Sequence, residues 1–265
     1  MGITSDTSAV SSPQGDLRDF YERSYRSDAN SEKHGRWRQL GAITKADHVV
    51  YLARAIGLEA PTIIAEIGCG DGAVLDDLGA RHFADARIGY EISAAATALA
   101  AQRAGVSEAH VFDGRHVPVP DGAYDLVFAS HVLEHVPHPV DLLQEMARIG
   151  RAVIIEVPLE ANLSARRPRA RAASKGAGHL HRFGRREVQR LIAKAGLEIR
   201  AELSEPLPLA IHMFGRTSRV ARLRGYLKWV ARSAIAHIPA GADRWITLHY
   251  ALAATPAVEL PAVAR

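Results

Sequence analysis

The residues best spaced for chemistry are Glu66-Ile-Gly68-Cys69-Gly70-Asp71-Gly72, at the end of a short apolar run over 62–67. Glycines at a strand-to-helix turn let the backbone fold tightly and approach a ligand closely. Two further acids follow. Glu91 stands in Gly89-Tyr90-Glu91-Ile92-Ser93, at the tip of a second apolar run, and Asp113 stands in Phe112-Asp113-Gly114 at the tip of a third. A carboxylate after the second strand can accept both hydroxyls of a ribose. The third acid stands where an adenine amino group could donate. A tight turn alone does not account for three acids at three consecutive strand tips.

These tips need a scaffold, and the chain has its pattern. Apolar runs at 62–67, 87–91, 110–113, 124–129, 152–157 and 197–203 alternate with helical stretches at 73–78, 94–104, 139–148 and 187–195, and a last strand is expected over 245–252. Ser93 can cap the helix that follows it. Continuous apolar strands alternating with helices predict a parallel sheet covered on both faces. Helices over 16–27 and 41–57 precede the sheet, read as an N-terminal helical lid over 16–60. Residues 61–265 form the main domain. Two stretches break the alternation, an Arg-rich segment over 159–183 and a segment over 205–244 carrying a helix at 217–236. Such insertions commonly hold specificity. Residues 1–15 have neither the basic start nor the apolar stretch of a secretory signal and read as a disordered tail.

Composition narrows the classes. Of 265 residues, 48% are hydrophobic and 23% charged, which excludes wholesale disorder. Cys69 is the only cysteine, so no intrachain disulfide can form, and a reducing, cytoplasmic setting fits. No apolar run approaches the ~18 residues that span a bilayer. The net charge of +4 is unevenly spread: residues 160–190 carry nine bases and two acids, and 214–236 carry six bases and no acid. Segregation of this kind suits an anionic small molecule or peripheral contact with a membrane surface, or no more than a solvated basic face. Nucleic acid is not expected. The chain has no Asn-Pro-Pro-Tyr-type motif for a flipped base, and its three Trp and six Phe offer few stacking platforms.

The motifs AEIGCGDG (65–72), GYEIS (89–93), FDG (112–114), YDLVFASHVLEHV (124–136) and AGLEI (195–199) resemble the class I S-adenosylmethionine-dependent methyltransferases. Within that class they are similar to the small-molecule group that includes the ubiquinone and menaquinone biosynthetic enzymes. The resemblance implies a Rossmann-like, doubly wound α/β/α fold. Its seven-stranded sheet would run in the order 3-2-1-4-5-7-6, mostly parallel with an antiparallel last strand. It implies S-adenosyl-L-methionine as cofactor, with contacts at Glu66, Gly68, Cys69, Gly70, Gly72, Glu91, Ile92, Asp113, Gly114 and Ser130. Arg148-Ile-Gly-Arg151 departs from the longer turn usual there, away from the cofactor loop. Gly68-x-Gly70-x-x-Ala73 also satisfies a dinucleotide fingerprint, so an NAD(P)-binding oxidoreductase is the main alternative. A non-catalytic S-adenosylmethionine-binding protein is another.

Methyl transfer from a sulfonium is an in-line displacement, so the protein mainly aligns the partners and excludes water. A hydroxyl or ammonium acceptor also needs a base near neutrality, which favours histidine and O- or N-methylation. His131 lies at the tip of the fourth strand, beside the switch point of the sheet. The resemblance puts His179, in Gly178-His179-Leu180-His181, at the substrate pocket. These two are the candidate catalytic residues. His131-x-x-Glu134-His135 has the letters of a zinc motif, but the resembling enzymes commonly carry LEH without a metal, so Glu134 and His135 are read as structural and no metal is expected. The sheet supplies a floor without a roof. Tyr21, Tyr25, Trp37 and His48 before it, and Pro208, Ile211, His212, Met213 and Phe214 after its sixth strand, are the roof material; Tyr25, Trp37 and His212 are the candidate substrate contacts. Arg166, Arg167 and Arg169 would form a basic rim.

Overall fold

The computed structural model describes residues 13–28, 32–238 and 241–257. Helices α1 (Pro13–Asp28) and α2 (Glu32–Ala55) precede the sheet, whose strands are β1 (Ile63–Ile67), β2 (Ala86–Glu91), β3 (Glu108–Val111), β4 (Tyr124–Ser130), β5 (Gly150–Pro158), β6 (Leu197–Glu205) and β7 (His249–Pro256). Between them run α3 (Ala73–Ala80), α4 (Ala94–Ala100), α5 (Pro139–Ile149), α6 (Pro168–Gly176), α7 (Arg185–Lys194), α8 (Leu209–Met213), α9 (Arg219–Ala236) and α10 (Ala242–Trp245). The strand order is β3-β2-β1-β4-β5-β7-β6, parallel except for β7, which runs antiparallel to both neighbours. This is the sheet that the motif resemblance implied.

Strand alternation decides which side chains face the site. Ile64, Leu126, Phe128, Ala152, Ile154, Ala251 and Ala253 are buried on one face with α2 and α3. Val127, Ala129, Val153, Ile155 and Leu252 are buried on the other with α5 and α7. Every second residue therefore keeps to one side, and Glu66, Ser130, Glu156 and His249 fall on the α2 side. Helix α2 seals that side through Ala42, Ala46, Val49, Leu52 and Ala53. It starts at Glu32, well before the 41 expected, because Gly35 and Gly41 are accommodated within it. Helix α1 is anchored by Glu22, whose carboxylate accepts from Ser93 Oγ and Ala95 N–H at the N-terminus of α4. Ser93 caps α4 as its type suggested, accepting from Ala96 N–H.

Other expectations shift. The last strand begins at His249, not 245, because 242–245 close as α10. The third strand ends at Val111, which puts Asp113 in the following turn. The 159–183 segment is not bare loop: Pro168 occupies the first turn of α6, where its missing N–H costs nothing. Of the tail expected over 1–15, residues 1–12 lie outside the described residues, and α1 begins at Pro13. Among the described residues, no helix is long and apolar enough to cross a membrane.

Candidate active site

A cavity of about 860 Å³ opens at the carboxyl ends of β1, β2, β4 and β5. That is the usual ligand position in an open α/β sheet. One end is built from the glycine loop. Gly70 takes φ +55°, a left-handed conformation that favours glycine, and a Cβ there would lie 2.4 Å from the Tyr25 hydroxyl, which would have to shift off the loop. Gly72, also left-handed, packs against Ala100 and Val106 and is not among the residues that line the cavity. Asp71 ties the loop to its surroundings, taking 2.9 Å ion pairs from Arg38 of α2 and from Arg103. The Arg38 guanidinium also stacks over the Tyr25 ring.

The acids at this end differ in state. Glu91 is buried; it accepts from the N–H groups of Ile92 (2.7 Å), Gly70 (2.9 Å) and Ser93 (3.1 Å). Burial raises its carboxyl above the ordinary value and those three donors oppose the rise. Glu66 is buried with Oε2 unpartnered, and burial pushes its carboxyl well up, against the pull of Lys45. Asp113 is exposed; it accepts from Arg115 and His116 N–H at 2.8 Å each, which hold it low. All three acids line the cavity with Gly68, Cys69, Ile92, Gly114 and Ser130. Cys69 offers backbone rather than sulfur: its Sγ is packed against Gly89, and burial drives the thiol well above its ordinary range. An unpartnered buried carboxylate, a cradle that a Cβ would fill and a carboxylate at a strand tip fit a cationic nucleoside. Glu66 suits the charged amino-acid end, Glu91 the ribose and Asp113 the base.

The other end is a belt of histidines and glutamates. Glu156, fully buried on β5, is its hub. His48 Nδ1 lies 3.0 Å from Oε2, while His249 Nδ1 (2.9 Å) and His131 Nε2 (3.3 Å) share Oε1. Burial would raise Glu156, but His131, His249 and His48 hold it well below the usual carboxylate range. Register explains the meeting. Ser130 pairs with Glu156 across β4–β5, His131 N–H donates to the Glu156 carbonyl, and His249 is diagonal to Glu156 across β5–β7. His131 adopts φ +60°, uncommon outside glycine, and its Nδ1 reaches Glu134 at 3.1 Å. Further along the belt, His179 Nδ1 sits 2.9 Å from Glu160 Oε2 and 3.2 Å from Ser174 Oγ. The His135 ring meets His179 edge-on at 4.8 Å.

Both candidate catalytic histidines thus line the cavity, together with Tyr25, Trp37 and His48. His212 does not: it is buried with Nδ1 facing the Pro208 carbonyl at 3.2 Å, and its neighbour Ile211 lines the wall instead. His181 also turns away, onto the Val136 carbonyl. Arg166, Arg167 and Arg169 are exposed, and the cation on that wall is Lys228 of α9, whose amine burial lowers. The exposed apolar face of α9 includes Val220, Leu223 and Leu227. Sequence reasoning missed Glu156 and His249. Their signal was an acid inside the apolar Val153-Ile-Ile-Glu156-Val157 and a histidine opening the apolar last strand.

Comparison with known proteins agrees with this geometry. A family model described as a methyltransferase domain matches residues 37–202. No curated protein sequence matches the chain. Among solved structures, the chain is similar to geranyl diphosphate C-methyltransferase from Streptomyces coelicolor A3(2), in complex with Mg2+, geranyl diphosphate and S-adenosyl-L-homocysteine (TM-score 0.61, 15% identity, 94% of this chain and 99% of that one). It is similar to Haemonchus contortus phosphoethanolamine N-methyltransferase 2 in complex with S-adenosyl-L-methionine (TM-score 0.60, 14% identity, 94% of this chain and 60% of that one). A third is a methyltransferase from Haloferax volcanii in complex with the activator Trm112 (TM-score 0.56, 16% identity, 89% of this chain and 97% of that one).

Proposed function

The chain belongs to the methyltransferase-domain family and is an S-adenosylmethionine-dependent methyltransferase, and we propose that it methylates an oxygen or nitrogen atom of a small molecule bearing an anionic group. The observation that carries this reading is the single cavity joining the three strand-tip acids to the histidine belt. When bound, S-adenosylmethionine supplies a methyl group already activated on sulfur. Glu66, Glu91 and Asp113 would hold that cofactor at the glycine-loop end, leaving the belt for the acceptor. Tyr21, Tyr25 and Trp37 line the cavity from α1 and α2 and would shield the bound cofactor from water. That favours displacement at carbon over competing hydrolysis.

His179, fixed through Nδ1 by Glu160, takes the proton that the acceptor loses as its new bond to carbon forms. His131 lies on the floor beside it. Lys228, with Arg167, Arg216 and Arg232 close enough to depress its amine, suits a carboxylate or phosphate on the acceptor. Neighbours that bind geranyl diphosphate and phosphomonomethylethanolamine make a phosphorylated acceptor a natural first choice for screening. The motif resemblance to the ubiquinone and menaquinone group supports a small acceptor as well.

The test is release of S-adenosylhomocysteine from panels of hydroxylated and amine metabolites, each with and without a carboxylate or phosphate. Turnover confined to anionic members is expected. Turnover only of uncharged members would remove the anionic assignment. Binding of NADH in place of S-adenosylmethionine would restore the redox alternative.

A further inference from the structure

We infer that His131, Glu156 and His249 form a binding site for one divalent transition-metal ion on the floor of the cavity. The sequence led to the opposite expectation, because the motif that suggested zinc was His131-x-x-Glu134-His135. The structure brings a different set together, from three separate elements: the tip of β4, the body of β5 and the start of β7.

The geometry is that of a coordination face. His131 Nε2, His249 Nδ1 and Glu156 Oε1 form a triangle with edges of 3.0, 2.9 and 3.3 Å. Nitrogen and oxygen ligands about 2.1 Å from an ion and at right angles to one another lie about 3.0 Å apart. Protons close the triangle poorly. Each ring nitrogen has one hydrogen or one lone pair; with the His131 Nε2 lone pair turned inward, one N–H on His249 Nδ1 serves the 2.9 Å edge to Oε1 and leaves the 3.3 Å His131–Glu156 edge as two lone pairs facing each other. An ion satisfies all three atoms at once.

The surroundings are those of ligands held from behind. His131 Nδ1 lies 3.1 Å from the buried Glu134 carboxylate, which fixes the tautomer with the Nε2 lone pair toward the triangle. His48 Nδ1 meets the other oxygen of Glu156 at 3.0 Å. Two imidazoles with one carboxylate favour a first-row divalent ion over Mg2+ or Ca2+, which prefer oxygen. Three protein ligands leave positions open, and all three residues line the cavity. The second cluster, Glu134, His135 and His179, is looser, with Glu134 and His135 3.9 Å apart at their nearest ligand atoms. The site stands without the methyl-transfer reading. Its role rests on that reading: the open positions would take an oxygen of the acceptor and fix it opposite the glycine loop.

The test uses the full-length chain, stripped with a chelator and dialysed against Co2+ or Zn2+. Metal is counted by mass spectrometry and coordination followed by Co2+ visible absorption. One ion per chain is expected, with His249→Ala and Glu156→Gln weakening uptake on the order of 100-fold or more. His249→Asp, which keeps a ligand, should recover part of it, and His179→Ala should bind as the parent does. Absence of uptake by the folded parent at millimolar Co2+ overturns the site, as does uptake unchanged in His249→Ala. Loss in His179→Ala with retention in His249→Ala moves any metal to the second cluster and overturns it equally. If His249→Ala melts too early to dialyse, His249→Asp and His131→Asn give the comparison. S-adenosylhomocysteine titration on the same samples is the separate check of the methyl-transfer reading: its failure with metal uptake intact would fall on that reading alone.

Discussion

Glu91→Gln removes one charge and exchanges one acceptor for a donor, with almost no change of shape. In the parent, Oε1 accepts from Ile92 and Ser93, and Oε2 accepts from Gly70 in the glycine loop. A glutamine can keep the first pair, but its amide nitrogen then faces the Gly70 N–H. One buried donor is left without a partner, at about 1–3 kcal/mol. For a chain of this length that lowers Tm by about 2–10 °C. The same atom is the proposed acceptor from a ribose hydroxyl. Loss of a hydrogen bond to a charged group costs about 1.5–3 kcal/mol, or roughly tenfold to a hundredfold in cofactor Kd. Calorimetric titration with S-adenosylhomocysteine and thermal melts, on parent and variant at one pH, read the two effects separately. A lower Tm with affinity within twofold of the parent would confine Glu91 to holding the loop. It would refute the ribose assignment.

Four further outcomes follow from the same geometry. Burial raises Glu66 while it is unpartnered. If the bound cofactor's cationic end ionises it, cofactor affinity should rise with pH until the raised pKa is passed, with proton release that varies between buffers; Glu66→Gln should abolish both, and a flat profile in the parent would contradict the pairing. Burial pushes Glu145 up, but Arg148 and the Val117 N–H hold it below its ordinary value. Its stabilising effect is therefore present above the unfolded carboxylate pKa and is lost as pH falls through the lower folded value, so Glu145→Gln should flatten the acid limb of the Tm–pH curve. His179→Ala should reduce kcat by about 10²–10⁴ with cofactor affinity retained, and an unchanged kcat would remove it as the base. His212→Ala should leave kcat/KM within about threefold, since its ring faces the Pro208 carbonyl; a larger fall would return it to the substrate wall.

What could be read along the chain was local. Glu66, the glycine turn, Glu91 and Asp113 each follow an apolar run within a few residues, and parallel strands bring their tips to one edge whatever the loops do. Glu156 and His249 were not legible because their meeting depends on antiparallel β5–β7 register across 93 residues of chain, which no local pattern encodes. The placement of His212 was not legible for a related reason. A histidine near a proline in an insertion looks like wall material, but a short helix turns it back onto that proline's carbonyl and gives Ile211 the cavity face. Gly72 illustrates the remaining ambiguity: its left-handed backbone and the close approach of Ala100 of α4 favour glycine there before any ligand is considered.

The most direct measurement of the central claim is a crystal structure of the full chain with S-adenosylhomocysteine bound. The ligand is predicted to span the strand tips, with its amino-acid end at Glu66, its ribose within hydrogen-bond distance of Glu91 and its adenine beside Asp113. Its sulfur should point toward the His131–His179 belt and leave the space beside Lys228 open for the acceptor. A sulfur directed away from that belt, or a ligand seated outside the cavity, would contradict the account.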